Sequence, residues 1–111
     1  MKILVVDDIV SNSHLLECLL RDRAEVHIVN NGLEAVDACK ETEYDVILMD
    51  IQMPVMDGIE ATGLIRKNGY EGRIIFVTAY HEFAEGLTEE DGILLKPINV
   101  EVLKRKVFID D

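Results

Sequence analysis

At 111 residues the chain has room for one domain around one core and too little for a second functional module. Apolar residues make up 49% of it, but in runs of only a few residues, which argues against a membrane span or a signal-like leader and leads us to expect a globular, cytoplasmic protein. The formal net charge of -11, from 22 acids against 11 bases, repels phosphate backbones, so direct nucleic-acid binding is disfavoured and protein partners are expected.

The first apolar run is Ile3, Leu4, Val5 and Val6, ending in the pair Asp7-Asp8. Its unbroken character is that of a parallel strand covered on both faces. Leu15, Leu16, Leu19 and Leu20 then form a helical stripe. The next run, Val26-His27-Ile28, alternates with polar positions and suits an edge strand. Asn31-Gly32 marks a turn, and Leu33, Val36 and Cys39 make a second stripe. Val46, Ile47, Leu48 and Met49 form a third strand that runs into Asp50. Ile59, Thr62 and Ile65 form a third stripe, followed by the turn signals Asn68-Gly69 and Glu71-Gly72.

A fourth strand covers Ile74, Ile75, Phe76 and Val77, and a fifth covers Ile93, Leu94 and Leu95. The helix expected between them is shortened. Only about residues 81–86 can form it, and a polar stretch from Thr88 to Gly92 follows, so this connection is expected to be mobile. Val100, Leu103 and Val107 close the chain as a last helix. Strands alternating with helices, with no repeat, linker or low-complexity tract, predict a doubly wound α/β sheet with helices on both faces. Cys18 and Cys39 share no CxxC spacing and fall in helical segments, so both are read as free thiols.

Ligands of an open α/β sheet bind beyond the carboxyl ends of the strands, where the strand order reverses. Asp7 and Asp8 follow the first strand, Asp50 the third, Thr78 the fourth and Lys96 the fifth. With the order 2-1-3-4-5, the first and third strands are neighbours at the reversal, and the three carboxylates converge beside a hydroxyl and an ammonium. Close carboxylates repel by ~4 kcal/mol per pair at a separation of ~4 Å and an effective dielectric of ~20. A hard divalent cation offsets this better than protonation in a crevice open to water, and Mg²⁺ favours one or two carboxylates together with a phosphate.

A carboxylate can itself take a phosphoryl group if its neighbours hold the equatorial oxygens. Lys96 suits one oxygen, and the Thr78 hydroxyl with the Ala79 backbone N–H suits another. Singly, each residue has an ordinary explanation: Asp7 and Asp8 read equally well as helix caps, Asp50 as the opening of a turn, Thr78 as a turn residue and Lys96 as a solvated side chain. Their joint placement at four strand ends on one edge is what favours a site.

Asp7-Asp8, the block Met49-Asp50-Ile51-Gln52-Met53-Pro54-Val55-Met56-Asp57-Gly58, Thr78-Ala79 and Lys96-Pro97 together resemble the receiver domain of two-component response regulators and hybrid histidine kinases. The resemblance spans residues 1–111 and implies a flavodoxin-like five-stranded sheet. It implies Asp50 as phosphoacceptor, with Asp8, Asp50 and the Gln52 backbone carbonyl on Mg²⁺ or Mn²⁺ and Asp7 assisting through water. Thr78, Ala79 and Lys96 would contact the phosphoryl group, and the Lys96–Pro97 bond would be cis. Gly58 would shape the loop after the third strand through its backbone freedom. The implied donor is a histidine kinase or a histidine phosphotransfer protein, and the recipient of the signal is an unknown protein.

Two departures from the family pattern stand out. Ile93 occupies the place where most receivers carry an aromatic residue, three before the lysine, which puts the usual threonine–aromatic coupling in question. The shortened connection agrees with a subclass whose fourth helix is degenerate. Competing readings are a small phosphatase of the haloacid-dehalogenase kind, whose DxD pattern Asp7-Asp8-Ile9 breaks, and a binding module that is never phosphorylated. His14, His27 and His81 share no ligand spacing and are read as surface residues. The acids Glu82, Glu85, Glu89, Glu90 and Asp91 are read as a solvated face.

Overall fold

The computed structural model describes residues 1–79 and 92–108. Within them, β1 (Lys2–Val6), α1 (Val10–Leu20), β2 (Glu25–Val29), α2 (Gly32–Glu41), β3 (Val46–Asp50), α3 (Gly58–Lys67), β4 (Arg73–Thr78), β5 (Ile93–Leu95) and α4 (Val100–Val107) follow in chain order. The strands form one parallel sheet of order β2-β1-β3-β4-β5, with β2 at an edge as its alternating pattern predicts. The expected short helix near residues 81–86, and the acids beside it, lie outside the described residues.

Every strand sends alternate residues to opposite faces. Ile3 and Val5, Val46 and Leu48, Ile75 and Val77, and Leu94 form one core with Leu16 and Leu20 of α1 and Leu103 and Val107 of α4. Leu4 and Val6, Ile47 and Met49, and Ile74 and Phe76 form the other, with Ala35 and Val36 of α2 and Ala61 and Ile65 of α3. Burying such a side chain contributes about 1.5–3 kcal/mol, so two sandwiched layers account for the unbroken apolar strands.

The helical stripes need one correction. Leu33, Ile59 and Val100, the first apolar residue of three stripes, are exposed, as is Leu15. The first turns of α2, α3 and α4 carry these three residues on their outward side, while Gly32 and Gly58 of the first two turns are buried. Inward positions in α3 fall instead to Gly58, Ala61, Thr62 and Ile65.

Asn31, Asp57 and Asn99 cap α2, α3 and α4, their side chains accepting from the N–H groups of Glu34, Glu60 and Val102. Ile9 precedes α1 with no side-chain cap. Both cysteines are free, and burial pushes the Cys39 thiol up to about 11. Among the described residues no helix is long and apolar enough to cross a membrane.

Candidate functional site

The register of the sheet brings the acids together. Val6 pairs with Met49, so Asp7 and Asp50 continue two adjacent parallel strands at the same level. Asp7 lies two residues beyond Val5, Asp50 two beyond Leu48 and Lys96 two beyond Leu94, so all three follow the face that carries the α1/α4 core. One carboxylate oxygen from each of Asp7, Asp8 and Asp50 lies within 4.8 Å of the other two. Asp7 is 2% exposed and Asp50 7%, while Asp8 is open to solvent.

Lys96 reaches both buried acids, with Nζ 3.4 Å from Asp7 Oδ2 and 3.6 Å from Asp50 Oδ2. Asp50 Oδ1 accepts the Ile51 N–H at 2.9 Å, and Asp7 Oδ1 accepts the Ile9 N–H at 2.9 Å. Asp7 therefore stiffens the turn into α1 without being its N-cap. Burial pushes the Asp50 carboxyl up to about 6 from its ordinary 3.8; Lys96 opposes the rise, Asp7 adds to it, the Ile51 N–H opposes it and Asp8 adds to it.

Three carboxylates against one ammonium leave an excess of two negative charges, which a divalent cation would match. The spacing brings the three acids within reach of one ion. Adjacent ligands of an octahedral Mg²⁺ lie ~2.9 Å apart and opposite ones ~4.2 Å, so oxygens within 4.8 Å of one another would close by up to ~2 Å to bind directly, and by less where a water intervenes. The donor set is all oxygen, as this hard ion prefers.

The remaining residues singled out from the sequence stand at the same edge. Thr78 ends β4, wholly buried, and its carbonyl accepts the Lys96 N–H at 2.8 Å. Ala79 follows it, exposed, and Gln52 is exposed two residues past Asp50. The Lys96–Pro97 bond is cis. Ile93 is half-buried against the α2/α3 core.

Gly58 is required for space rather than for backbone freedom, because a Cβ there would run into the Asp50 carbonyl oxygen. The positive φ in this loop belongs to Val55, which the sequence reading passed over. Only the block's position after Asp50 hinted that its backbone would be unusual. A pocket of about 150 Å³ lined by Asp7, Asn12, Leu15, Leu16, Val77, Lys96, Pro97 and Ile98 opens beside the acids.

A family model of the response regulator receiver domain matches residues 3–108. The chain belongs to that family. As a receiver domain it is a two-component signalling module of the phosphorelay type. It is 40% identical over 114 residues to hybrid signal transduction histidine kinase G of Dictyostelium discoideum, an alignment that covers 94% of this chain and 3% of that kinase. It therefore spans a small part of that relative's length. Its fold superposes with a TM-score of 0.87 on the response regulator TrrA of Thermotoga maritima, solved in complex with Mg²⁺–BeF, at 36% identity with 96% of this chain and 95% of that one covered. The receiver domain of the sensor histidine kinase PA1611 of Pseudomonas aeruginosa PAO1, which holds a magnesium ion in its active-site cleft, gives a TM-score of 0.88 at 33% identity, covering 99% and 98% of the two chains.

Proposed function

We propose that this receiver domain accepts a phosphoryl group on Asp50 from a histidine kinase or a histidine phosphotransfer protein in a Mg²⁺-dependent reaction, and that the product alters which protein it binds. The observation that carries this reading is the approach of Lys96 Nζ to Asp50 Oδ2, at 3.6 Å, within a cluster of three carboxylates at one sheet edge. Asp50 is the member on the central strand β3, and Lys96 is the cation already beside it.

In the transfer, an Asp50 carboxylate oxygen attacks phosphorus and forms a P–O bond. The P–N bond of a phosphohistidine breaks, and the imidazole leaves with its electron pair. Lys96 balances charge on one equatorial oxygen, while the Thr78 hydroxyl and the Ala79 N–H bind another. Asp7, Asp8, Asp50 and the Gln52 carbonyl would hold the cation, which supplies neutralisation of the charge on the phosphoryl oxygens. The turnover is self-modification, so the domain is not a conventional enzyme.

The partner class follows from the surface around the site. Ile9, Val10, Leu33, Val55, Ile59, Leu95 and Val100 are exposed apolar residues; Leu95 ends β5, and the others sit on the loops and first helical turns at the carboxyl edge. Such a rim around an acidic crevice suits a protein surface better than nucleic acid, which the charge of -11 repels. A cytoplasmic location belongs to the same reading.

Incubation with acetyl phosphate and Mg²⁺, followed by intact mass, tests the proposal. One phosphoryl group should add to the unaltered chain, and none to Asp50→Asn or to the unaltered chain with Mg²⁺ chelated. Equal labelling of Asp50→Asn would remove Asp50 as acceptor. Multiple turnover of a phosphomonoester would favour a phosphatase, and no labelling at all an unphosphorylated binding module.

A further inference from the structure

Val55 occupies backbone that a β-branched residue rarely adopts. Its φ is +72°, and the Met56 N–H donates across it to the Pro54 carbonyl at 2.8 Å. A three-residue turn closed in this way at positive φ is the rare, strained hand of the γ-turn. The Val55 side chain is 74% exposed, so burial does little to offset the strain. Glycine would take the same φ freely.

The turn is bolted to the rest of the molecule on both sides. The Met56 carbonyl accepts the Gly32 N–H at 3.1 Å, fastening the loop to the start of α2, and the Gly58 N–H donates to the Ile51 carbonyl at 2.8 Å. Gly58 itself packs against the Asp50 carbonyl so closely that no side chain fits there. The Ile51 N–H in turn donates to Asp50 Oδ1 at 2.9 Å. The strained turn is thus joined to the carboxylate at residue 50 along the chain from Met56 to Gly58 and then through the hydrogen bonds from Gly58 to Ile51 and from Ile51 to Asp50.

We propose that Val55 is a positioning residue: the hydrogen bonds of the turn hold it at positive φ, where its β-branch leaves a much narrower range than glycine would have, and this limits the freedom of the loop over residues 51–57 and helps to fix the Asp50 carboxylate for a divalent cation. The inference rests on the reading that Asp7, Asp8 and Asp50 share that cation. Mg²⁺ demands near-ideal octahedral geometry, so its affinity is sensitive to freedom in the backbone that carries a ligand. A branched residue at this φ has a narrower range than glycine, which roams much of the positive-φ region.

Calorimetric titration of Mg²⁺ into the metal-free 111-residue chain tests this, with the unaltered protein beside Val55→Gly and Val55→Ile. Val55→Gly should bind Mg²⁺ roughly fivefold more weakly, the order of the backbone freedom a glycine adds. Val55→Ile, which keeps the branch, should retain the unaltered affinity. A role confined to folding would shift the melting temperature and leave these affinities equal. Equal affinity in Val55→Gly, or an equal loss in Val55→Ile, would overturn the inference while leaving the site reading intact. Failure of the unaltered chain to bind Mg²⁺ would overturn both.

Discussion

The two edges of the sheet treat polar groups in opposite ways. At the amino edge the polar groups that face inward are paired: the Tyr70 hydroxyl donates to the Tyr44 carbonyl at 2.9 Å, the Arg66 guanidinium to the Gly72 and Tyr70 carbonyls, and Arg73 to the Lys106 and Val107 carbonyls that end α4. His27 bridges the Tyr44 hydroxyl and the Glu25 carboxylate at 2.7 Å each. At the carboxyl edge three carboxylates crowd one lysine. The amino edge also holds the larger cavity, about 670 Å³ against about 150 Å³ beside Asp7 and Lys96. Volume and unbalanced charge therefore point to different edges, and the proposed site follows the charge, because crowding like charges costs stability that a folding role alone would not require.

The sharpest way to break this comparison is to remove a charge from the crowded edge. Asp8→Asn should lower Mg²⁺-dependent phosphorylation by roughly a hundredfold or more, beyond the loss typical of groups that merely support metal ligands, while the metal-free melting temperature holds or rises because repulsion is relieved. Phosphorylation kinetics beside a thermal melt check both halves. A loss of stability with unchanged kinetics would show that the carboxyl edge is structural after all.

Arg73→Ala is the converse case. It strips charged donors from the last carbonyls of α4 and should cost about 1.5–3 kcal/mol in denaturant unfolding, with phosphorylation of the folded protein unaltered. Slowed phosphorylation with little change in stability would blur the distinction between the edges.

A smaller effect concerns pH in metal-free protein. The folded Asp50 carboxyl titrates near 6 against 3.8 in the unfolded chain, chiefly through burial. Between those values the folded state holds a proton that the unfolded state has released, so this group's contribution to stability is present below pH ~4 and is lost as pH rises through ~6. Discounted for solvent screening at the open mouth, the loss is about 1–2 kcal/mol. The difference in stability between Asp50→Asn and the unaltered chain isolates it, and should grow in favour of the variant from pH 4 to pH 7. A flat difference would contradict the burial of Asp50.

Much of the fold was legible because the pattern that encodes it is local. Unbroken apolar runs ending in Asp7, Asp50 and Thr78 mark strands covered on both faces, whereas the order β2-β1-β3-β4-β5, seen in the structure, came from the family resemblance rather than from any one strand's pattern. The convergence of Asp7, Asp8, Asp50 and Lys96 needed only that order and the period of two along each strand.

What escaped depended on distances between elements. Helical periodicity placed Leu33, Ile59 and Val100 on the apolar stripes, but it does not say which side of a helix's first turn meets the core, and all three are exposed. Gly58 was read as a residue of flexible backbone, whereas its close approach to the Asp50 carbonyl is visible only when β3 and α3 are placed together. His27 looked idle because Tyr44, its partner, is 17 residues away in sequence. Arg73 caps a helix 33 and 34 residues downstream, which no local pattern announces. The positive φ at Val55 contradicts the preference of its own side chain, so propensity points away from it.

On the proposed reading, Asp50 is the phosphoryl-accepting member of the acid cluster. Treating the acetyl-phosphate-labelled protein with borohydride converts an acyl phosphate to the corresponding alcohol, and peptide mapping then finds the modified position. Homoserine should then appear at residue 50 and nowhere else. Homoserine at residue 7, 8 or 57, with residue 50 recovered as aspartate, would contradict it.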